Sequence, residues 1–254
     1  MLDLHDDLGI AVNRPDQVLR VVSLVPSLTE SICSVDPSLL VGATQWCTHP
    51  EDLDVERVRG TKNPDIKAIV RLKPDLVIAN MEENREIDVR RLREAGLSVW
   101  VTRIETVAQS LTSITRLMRE GLDRDAPEWC AKAAEVWSQS PPDLGLRVAV
   151  PVWRDPWFVV GPRTFAGDVL ARCGFTNAFA DAKERYPKVP IESITGVDLV
   201  LLPDEPYVFT SQDGPDAFSV RTALIPGRSL TWYGPTLLTA RDDIVVPALE
   251  AMRP

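Results

Sequence analysis

Few groups in this chain could do chemistry, and they are scattered. The 254 residues hold two histidines, His5 and His49, and four cysteines, Cys33, Cys47, Cys130 and Cys173. No two cysteines form a Cys-x-x-Cys pair, so zinc clusters and thioredoxin-type redox chemistry lack support. A protein-built zinc or manganese site draws on several His and carboxylate ligands, and no metal site is assigned. One short spacing, Cys47-x-His49, would put two soft ligands side by side. The chain has no Gly-x-Ser-x-Gly, no Gly-x-Gly-x-x-Gly and no phosphate-binding Walker loop. The paired carboxylates Glu82-Glu83 and Asp204-Glu205 could serve acid–base work, but nothing nominates a nucleophile. No catalytic residue is assigned, and the expected activity is binding without catalysis.

The residues that could bind are the aromatic and charged side chains just after apolar runs, and those runs read as strands. Arg20–Pro26, Asp75–Ala79 and Leu97–Val101 have the pattern of strands buried on both faces. Helical spacing over Asp65–Leu72 and Arg85–Ala95 alternates with them, Gly96 stands ready to cap the latter, and Ser27-x-x-Glu30 has capping-box spacing. The same order returns after residue 146: a strand over Arg147–Trp153, a helix over Thr164–Arg172 closed by Gly174, and a strand over Asp198–Leu202. "PDLVIAN" and "VDLVLLP" are the clearest echo. Between the halves, Leu111, Ile114, Leu117 and Met118 form one helical stripe, and Ala126-Pro127 opens another helix, which Pro141-Pro142 stops. The expected fold is α/β: two Rossmann-like lobes with mostly parallel sheets, spanning 1–105 and 141–254, joined by a long backbone helix region over 106–140.

In open parallel sheets ligands bind beyond the carboxyl ends of the strands. Those ends carry Pro26-Ser27, Trp46, and Asn80 with Glu82 and Glu83 in the first lobe. The second lobe offers Trp153, Arg154, Trp157 and Phe158, then Asp204, Glu205 and Tyr207. Aromatics are only 6% of the chain, so this clustering suits a large flat ligand held between rings in the cleft. Each Trp could equally cap its own lobe's core, and each acid could be a solvated loop carboxylate. Acid-lined ends would repel an anionic ligand unless Arg154, Arg163 and Arg221 offset them. Arg85, Arg90, Arg91 and Arg93 read as a solvated helix face.

Composition narrows the partners. Lys and Arg total 28 against 37 Asp and Glu, a net charge of −9 that argues against nucleic acid or an anionic bilayer. No segment is long and apolar enough to cross a membrane. Met1–Leu8 lacks the basic start and apolar run of a secretory signal, so the sequence as written reads as cytoplasmic, or extracytoplasmic if a leader was removed.

"RVVSLVPSLTE", "GTKNPDI" followed by "LKPDLVIAN", "WRDPWFVVG" and "LTWYGP" together resemble the iron–siderophore/vitamin B12 substrate-binding proteins of ABC importers, over about Asp6–Tyr233. "DDLGIAV" resembles the hairpin that opens many of them. The resemblance implies two α/β lobes joined by one backbone helix, with a metal chelate between them and no required cofactor. The cobalamin branch looks most similar: Trp46 falls on a pocket tyrosine, Phe158 on a pocket phenylalanine and Tyr186 on a pocket tryptophan. Thr61 and Asn80 stand where that branch has tryptophans. Glu192 of "IESI" falls on the second-lobe acid that docks the permease, while Lys67 replaces its first-lobe partner. The expected ligand is a cobalt or iron chelate, corrinoid first. A ferric siderophore, which would need Arg154 and Arg163 facing inward, comes second. Haem, with Cys47 or His49 as axial ligand, is third, and a cytoplasmic chelate sensor or carrier that reports to a protein partner is the reading outside transport. The expected oligomeric state is a monomer.

Overall fold

A computed structural model describes residues 4–253. The described chain divides into two compact units. The first holds the chain through Ile104, then Ala108–Lys132 and Tyr233–Pro235; the second holds Glu105–Val107, Ala133–Trp232 and the chain from Thr236 onward.

In the first unit, β1 (Val21–Ser23), α1 (Pro26–Cys33), β2 (Leu40–Ala43), β3 (Glu56–Arg57), the short pair β4 (Arg59–Gly60) and β5 (Asn63–Pro64), α2 (Ile66–Leu72), β6 (Leu76–Asn80), α3 (Glu86–Glu94) and β7 (Val99–Thr102) follow in order. The main sheet runs β3-β2-β1-β6-β7, all parallel. All five residues of β6 are buried, as a strand covered on both faces must be. Val22, Leu24, Ile69, Val77, Leu92 and Val101 form the core against it. The N-terminal turn is built around the Asp6 carboxylate, which accepts the Leu8 and Ile10 amides at 2.9 Å each and Arg93 at 2.8 Å. Arg93 therefore turns inward to a buried acid, whereas Arg85, Arg90 and Arg91 keep the solvated face expected of them.

The second unit carries β8 (Arg147–Ala149), β9 (Pro151–Trp153), β10 (Phe158–Val159), α6 (Phe165–Arg172), β11 (Thr176–Asn177), β12 (Leu199–Pro203), β13 (Arg221–Ile225), α7 (Gly227–Thr231) and α8 (Ala240–Met252). Its main sheet is β11-β8-β12-β13, again parallel. The single strand expected over Arg147–Trp153 is two. Pro151 has no amide to continue the ladder, and beyond it the chain leaves β12 to pair antiparallel with β10.

The echo between the halves has a physical basis. Asp75, at the head of "DLVIAN", accepts the Leu19 and Arg20 amides at 2.8 Å, and Asp198, at the head of "DLVLLP", accepts the Arg147 amide at 2.8 Å. Each aspartate thus fixes the start of its own unit's first strand. Gly96 and Gly174, both at positive φ, close α3 and α6 with the same pair of C-terminal bonds. The capping box at Ser27 does not form: Pro26 takes the first helical position, Val25 becomes the cap residue, and Ser27 lies inside α1. The segment between the sheets is helical in two stretches, α4 (Val107–Arg116) running on into a π-helical turn over Leu117–Gly121, and α5 (Glu128–Ser138), inside which the division of the units falls.

Candidate functional site

Both sheets are parallel, so the ends where β-strands hand over to loops carry the candidate residues. The seven tryptophans part sharply there. Trp100, Trp129, Trp137, Trp157 and Trp232 are 8% exposed or less, whereas Trp46 is 58% exposed and Trp153 is 46% exposed. Trp46 belongs to the first unit and Trp153 to the second.

Trp46 sits in the turn after β2. Its indole lies on Gly60, where a Cβ would stand 3.2 Å from Nε1. The turn is anchored from beneath by Cys47, whose buried thiol lies 3.1 Å from the Thr29 hydroxyl, a donor to it, and 3.2 Å from Thr44. Burial pushes that thiol above its ordinary value. Cys47 therefore faces the interior, while His49 is half-buried with Nδ1 3.1 Å from Thr48, and the expected pairing of two soft ligands does not form. Among the described residues no group of three or more His, Cys, Asp or Glu is arranged to hold a metal ion.

Asn80, at the end of β6, turns its amide into the protein. Nδ2 donates to Thr102 at 3.0 Å, and Oδ1 accepts the Glu82 amide at 2.8 Å and the Glu83 amide at 3.3 Å. Asn84 completes this loop by accepting the Asn80 amide and donating to the carbonyls of Leu24 and Thr61. Asn84 closes the strand-end run Asn80-Met-Glu-Glu-Asn84. Pro26 and Ser27 are buried at the start of α1, and Thr61 is half-buried. Glu82 and Glu83 are half-buried. Lys62 donates to the Glu82 carbonyl at 2.5 Å; burial lowers its ammonium pKa, and the two glutamates oppose that shift. Glu83 accepts the hydroxyl of Tyr233 at 3.3 Å, and burial, reinforced by Glu83, holds that phenol well above its ordinary range.

In the second unit Trp153 and Phe158 are direct cross-strand partners in the β9–β10 pair. Phe158 and Tyr186 are half-buried. Trp157 instead belongs to the core, stacked on Phe209 at 6.1 Å and edge-on to Phe218 at 5.3 Å. Arg154 is fully engaged: it pairs with Asp213 and Asp216 and lies over the Trp157 ring at 5.5 Å. Arg163 donates to the Lys183 carbonyl and Arg221 to carbonyls at the end of α8. Tyr207, one of the strand-end aromatics, is edge-on to Trp153 at 5.7 Å and donates to Asp213 at 2.6 Å.

Asp204 accepts the Gly227 amide at 2.6 Å and, with Glu205, Arg228 and Asp243, lines a cavity of about 370 Å³. Burial, and then the neighbouring Asp204, raises the Glu205 pKa, against hydrogen bonds from Trp232 and Thr231. Glu192 is exposed on a single turn over Ile191–Ser193, and Lys67 is exposed on α2. The described residues thus bring exposed or half-exposed aromatic rings to the strand ends without an assembled nucleophile or metal cluster. That arrangement can stack flat ligands.

No protein-family model matches the chain. A vitamin B12-binding protein of Vibrio cholerae serotype O1 is 27% identical over 209 residues, covering 78% of this chain and 72% of that protein. The crystal structure of the periplasmic vitamin B12 binding protein BtuF of Vibrio cholerae superposes with a TM-score of 0.74 at 20% identity, over 94% of this chain and all of that one. The periplasmic heme-binding protein RhuT from Roseiflexus sp. RS-1 gives 0.75 at 19% identity, over 93% of this chain and all of that one. The structural likenesses establish the fold. The relatives are named as binding proteins, in keeping with the non-catalytic expectation, and the periplasmic titles lend no support to a cytoplasmic sensor. The chain is a homologue of the vitamin B12-binding proteins and carries the α/β fold of the iron–siderophore/vitamin B12 substrate-binding proteins.

Proposed function

We propose that this chain binds a metal chelate, a corrinoid before others, outside the cytoplasm, as the substrate-binding component of an ABC-type importer. The observation that carries the reading is the division of the tryptophans: two indoles out of seven stand open, one in each unit, both at strand ends. An exposed indole keeps its hydrophobic surface available to a flat ligand. Phe158 and Tyr186 add half-buried rings in the second unit. The name of the Vibrio cholerae relative supports the corrinoid choice.

The charge pattern supports it too. Glu82 and Glu83 in one unit and Asp155, Asp204 and Asp216 in the other leave these strand ends acidic, and Arg154 is already neutralised by its own aspartates. A ferric siderophore of net negative charge would meet these acids, with Arg154 already paired and Lys62 set between Glu82 and Glu83. Haem is the second reading, favoured by the heme-binding title of a solved neighbour. With Cys47 buried, it would bind through ring stacking, and the half-buried His49 is the remaining axial candidate. Exposed Glu192 is the proposed docking acid for the permease, with Lys67 leaving the other lobe's contact unmatched.

Visible spectra of the pure protein titrated with hydroxocobalamin, haemin and a ferric hydroxamate, with melting curves alongside, rank these ligands. Saturable binding of hydroxocobalamin with the largest rise in Tm is expected. A preference for the ferric hydroxamate would overturn the charge argument.

A further inference from the structure

In the second unit, the exposed indole of Trp153 does not stand alone. It is the open end of a row of rings that runs inward: Trp153 edge-on to Tyr207, Tyr207 tilted on Phe209 at 4.6 Å, Phe209 stacked on Trp157, and Trp157 edge-on to Phe218. The ring touching Trp153 is held by polar bonds. Asp213 accepts the Tyr207 hydroxyl at 2.6 Å with one carboxylate oxygen and Arg154 with the other. Arg154 follows Trp153 directly in the chain, so this carboxylate grips both the neighbour of Trp153 and the ring that abuts it.

Asp213 is itself placed by its loop. Thr210 and Asp213 exchange backbone bonds across a tight turn, and Asp216 accepts the Gly214 amide at 2.9 Å while meeting Arg154 as well. A Cβ at Gly214 would stand 2.7 Å from Phe209, so the loop sits directly on the row of rings. The hydrogen bond to Asp213 also raises the Tyr207 pKa, as a phenol that donates to a carboxylate requires.

From this geometry we infer that Tyr207 and Asp213 are positioning residues for ligand stacking: they hold the Trp153 ring in one orientation through the Tyr207–Asp213–Arg154 chain. The inference rests on the chelate-binding reading. It gives these residues a role in affinity that acts through Trp153, without contact to the ligand. A platform held rigid before binding avoids the ordering cost that a free side chain incurs.

A double-mutant cycle with hydroxocobalamin, repeated with haemin, tests this. Trp153→Ala should weaken binding roughly thirtyfold, if the ligand covers most of the exposed indole. Tyr207→Phe should weaken it about fivefold, the ordering cost of one side chain no longer held in place, and the lost hydrogen bond should lower the Tm in both Trp153 backgrounds alike. In the Trp153→Ala background, Tyr207→Phe should change Kd by less than about twofold. Asp213→Ala, which releases both Tyr207 and Arg154, should exceed Tyr207→Phe. An equal effect of Tyr207→Phe in both backgrounds, or none in either, overturns the inference while the binding reading stands. If Trp153→Ala leaves both ligands unaffected, the binding reading fails for this unit. Positioning is then judged without ligand, by acrylamide quenching of the Trp153 fluorescence isolated as the difference from Trp153→Phe. Tyr207→Phe should raise that quenching; an unchanged value overturns the inference on its own.

Discussion

Replacing Trp46 by alanine separates a ligand-binding ring from a structural one. A tryptophan side chain offers up to about 250 Å² of surface, and at 58% exposure about 140 Å² of it is open on Trp46. Full coverage by a flat ligand, at about 25 cal/mol per Å², would contribute about 3.5 kcal/mol. Stacking on one face covers roughly half, so Trp46→Ala should cost about 2 kcal/mol of binding, a roughly thirtyfold rise in Kd. The indole also lies on Gly60, but with most of it open stability should fall by less than about 1 kcal/mol. Trp157→Ala provides the contrast: its ring is 8% exposed and stacked on Phe209, so the loss should be about 3–5 kcal/mol of stability. Kd by titration with hydroxocobalamin and unfolding by urea are the two readouts. A Trp46→Ala protein that binds as tightly as the parent but unfolds more readily would refute the reasoning, because the open indole would then be serving the fold.

Three further outcomes follow from single groups. Glu205 ionises at an ordinary 4.5 in the unfolded chain and at higher pH when folded, so the stability tied to its protonated form is fully present below about pH 4.5 and is lost as pH rises through the folded value. Glu205→Gln should therefore raise the Tm near neutral pH, with the gain vanishing at about pH 4, as melting curves across that range would show. Thr164 caps α6 by accepting the Gly167 amide at 3.0 Å, and Thr164→Ala should cost about 1 kcal/mol in urea unfolding, with Thr164→Ser restoring most of it. Burial pushes the thiols of Cys33 and Cys130 up to about 11 and that of Cys173 up to about 12. Ellman's reagent near pH 8 should react slowly with the native protein and promptly with all four cysteines once it is unfolded.

Much of the scaffold was legible because its signals are local. An aspartate heading each "DLV" strand, a glycine after α3 and after α6 and prolines such as Pro26 and Pro74 act within a few residues of themselves, and β6, β12, α3 and α6 formed where they pointed. Two local signals competed at α1, and the proline prevailed: fixed φ and a missing amide made Pro26 a better first helical residue than Ser27 was a cap. The candidate site was less legible because its decisive partners are remote. Arg154 reads as a free cation until Asp213 and Asp216, some sixty positions on, close around it. Asn80 reads as a ligand-facing residue until Thr102 and two loop amides claim its side chain. Trp153 and Trp157 lie four residues apart, yet the turn from β9 into β10 leaves one open and sends the other into the core. No periodicity distinguishes them beforehand.

Equilibrium dialysis of the purified chain against hydroxocobalamin, followed by a melting curve of the saturated protein, tests the proposed function most directly. The account expects one saturable site per chain and, at a thousandfold excess over Kd, about 4 kcal/mol of added stability. Retention of no more hydroxocobalamin, haemin or ferric hydroxamate than an unrelated acidic protein retains, with an unmoved Tm, would contradict it.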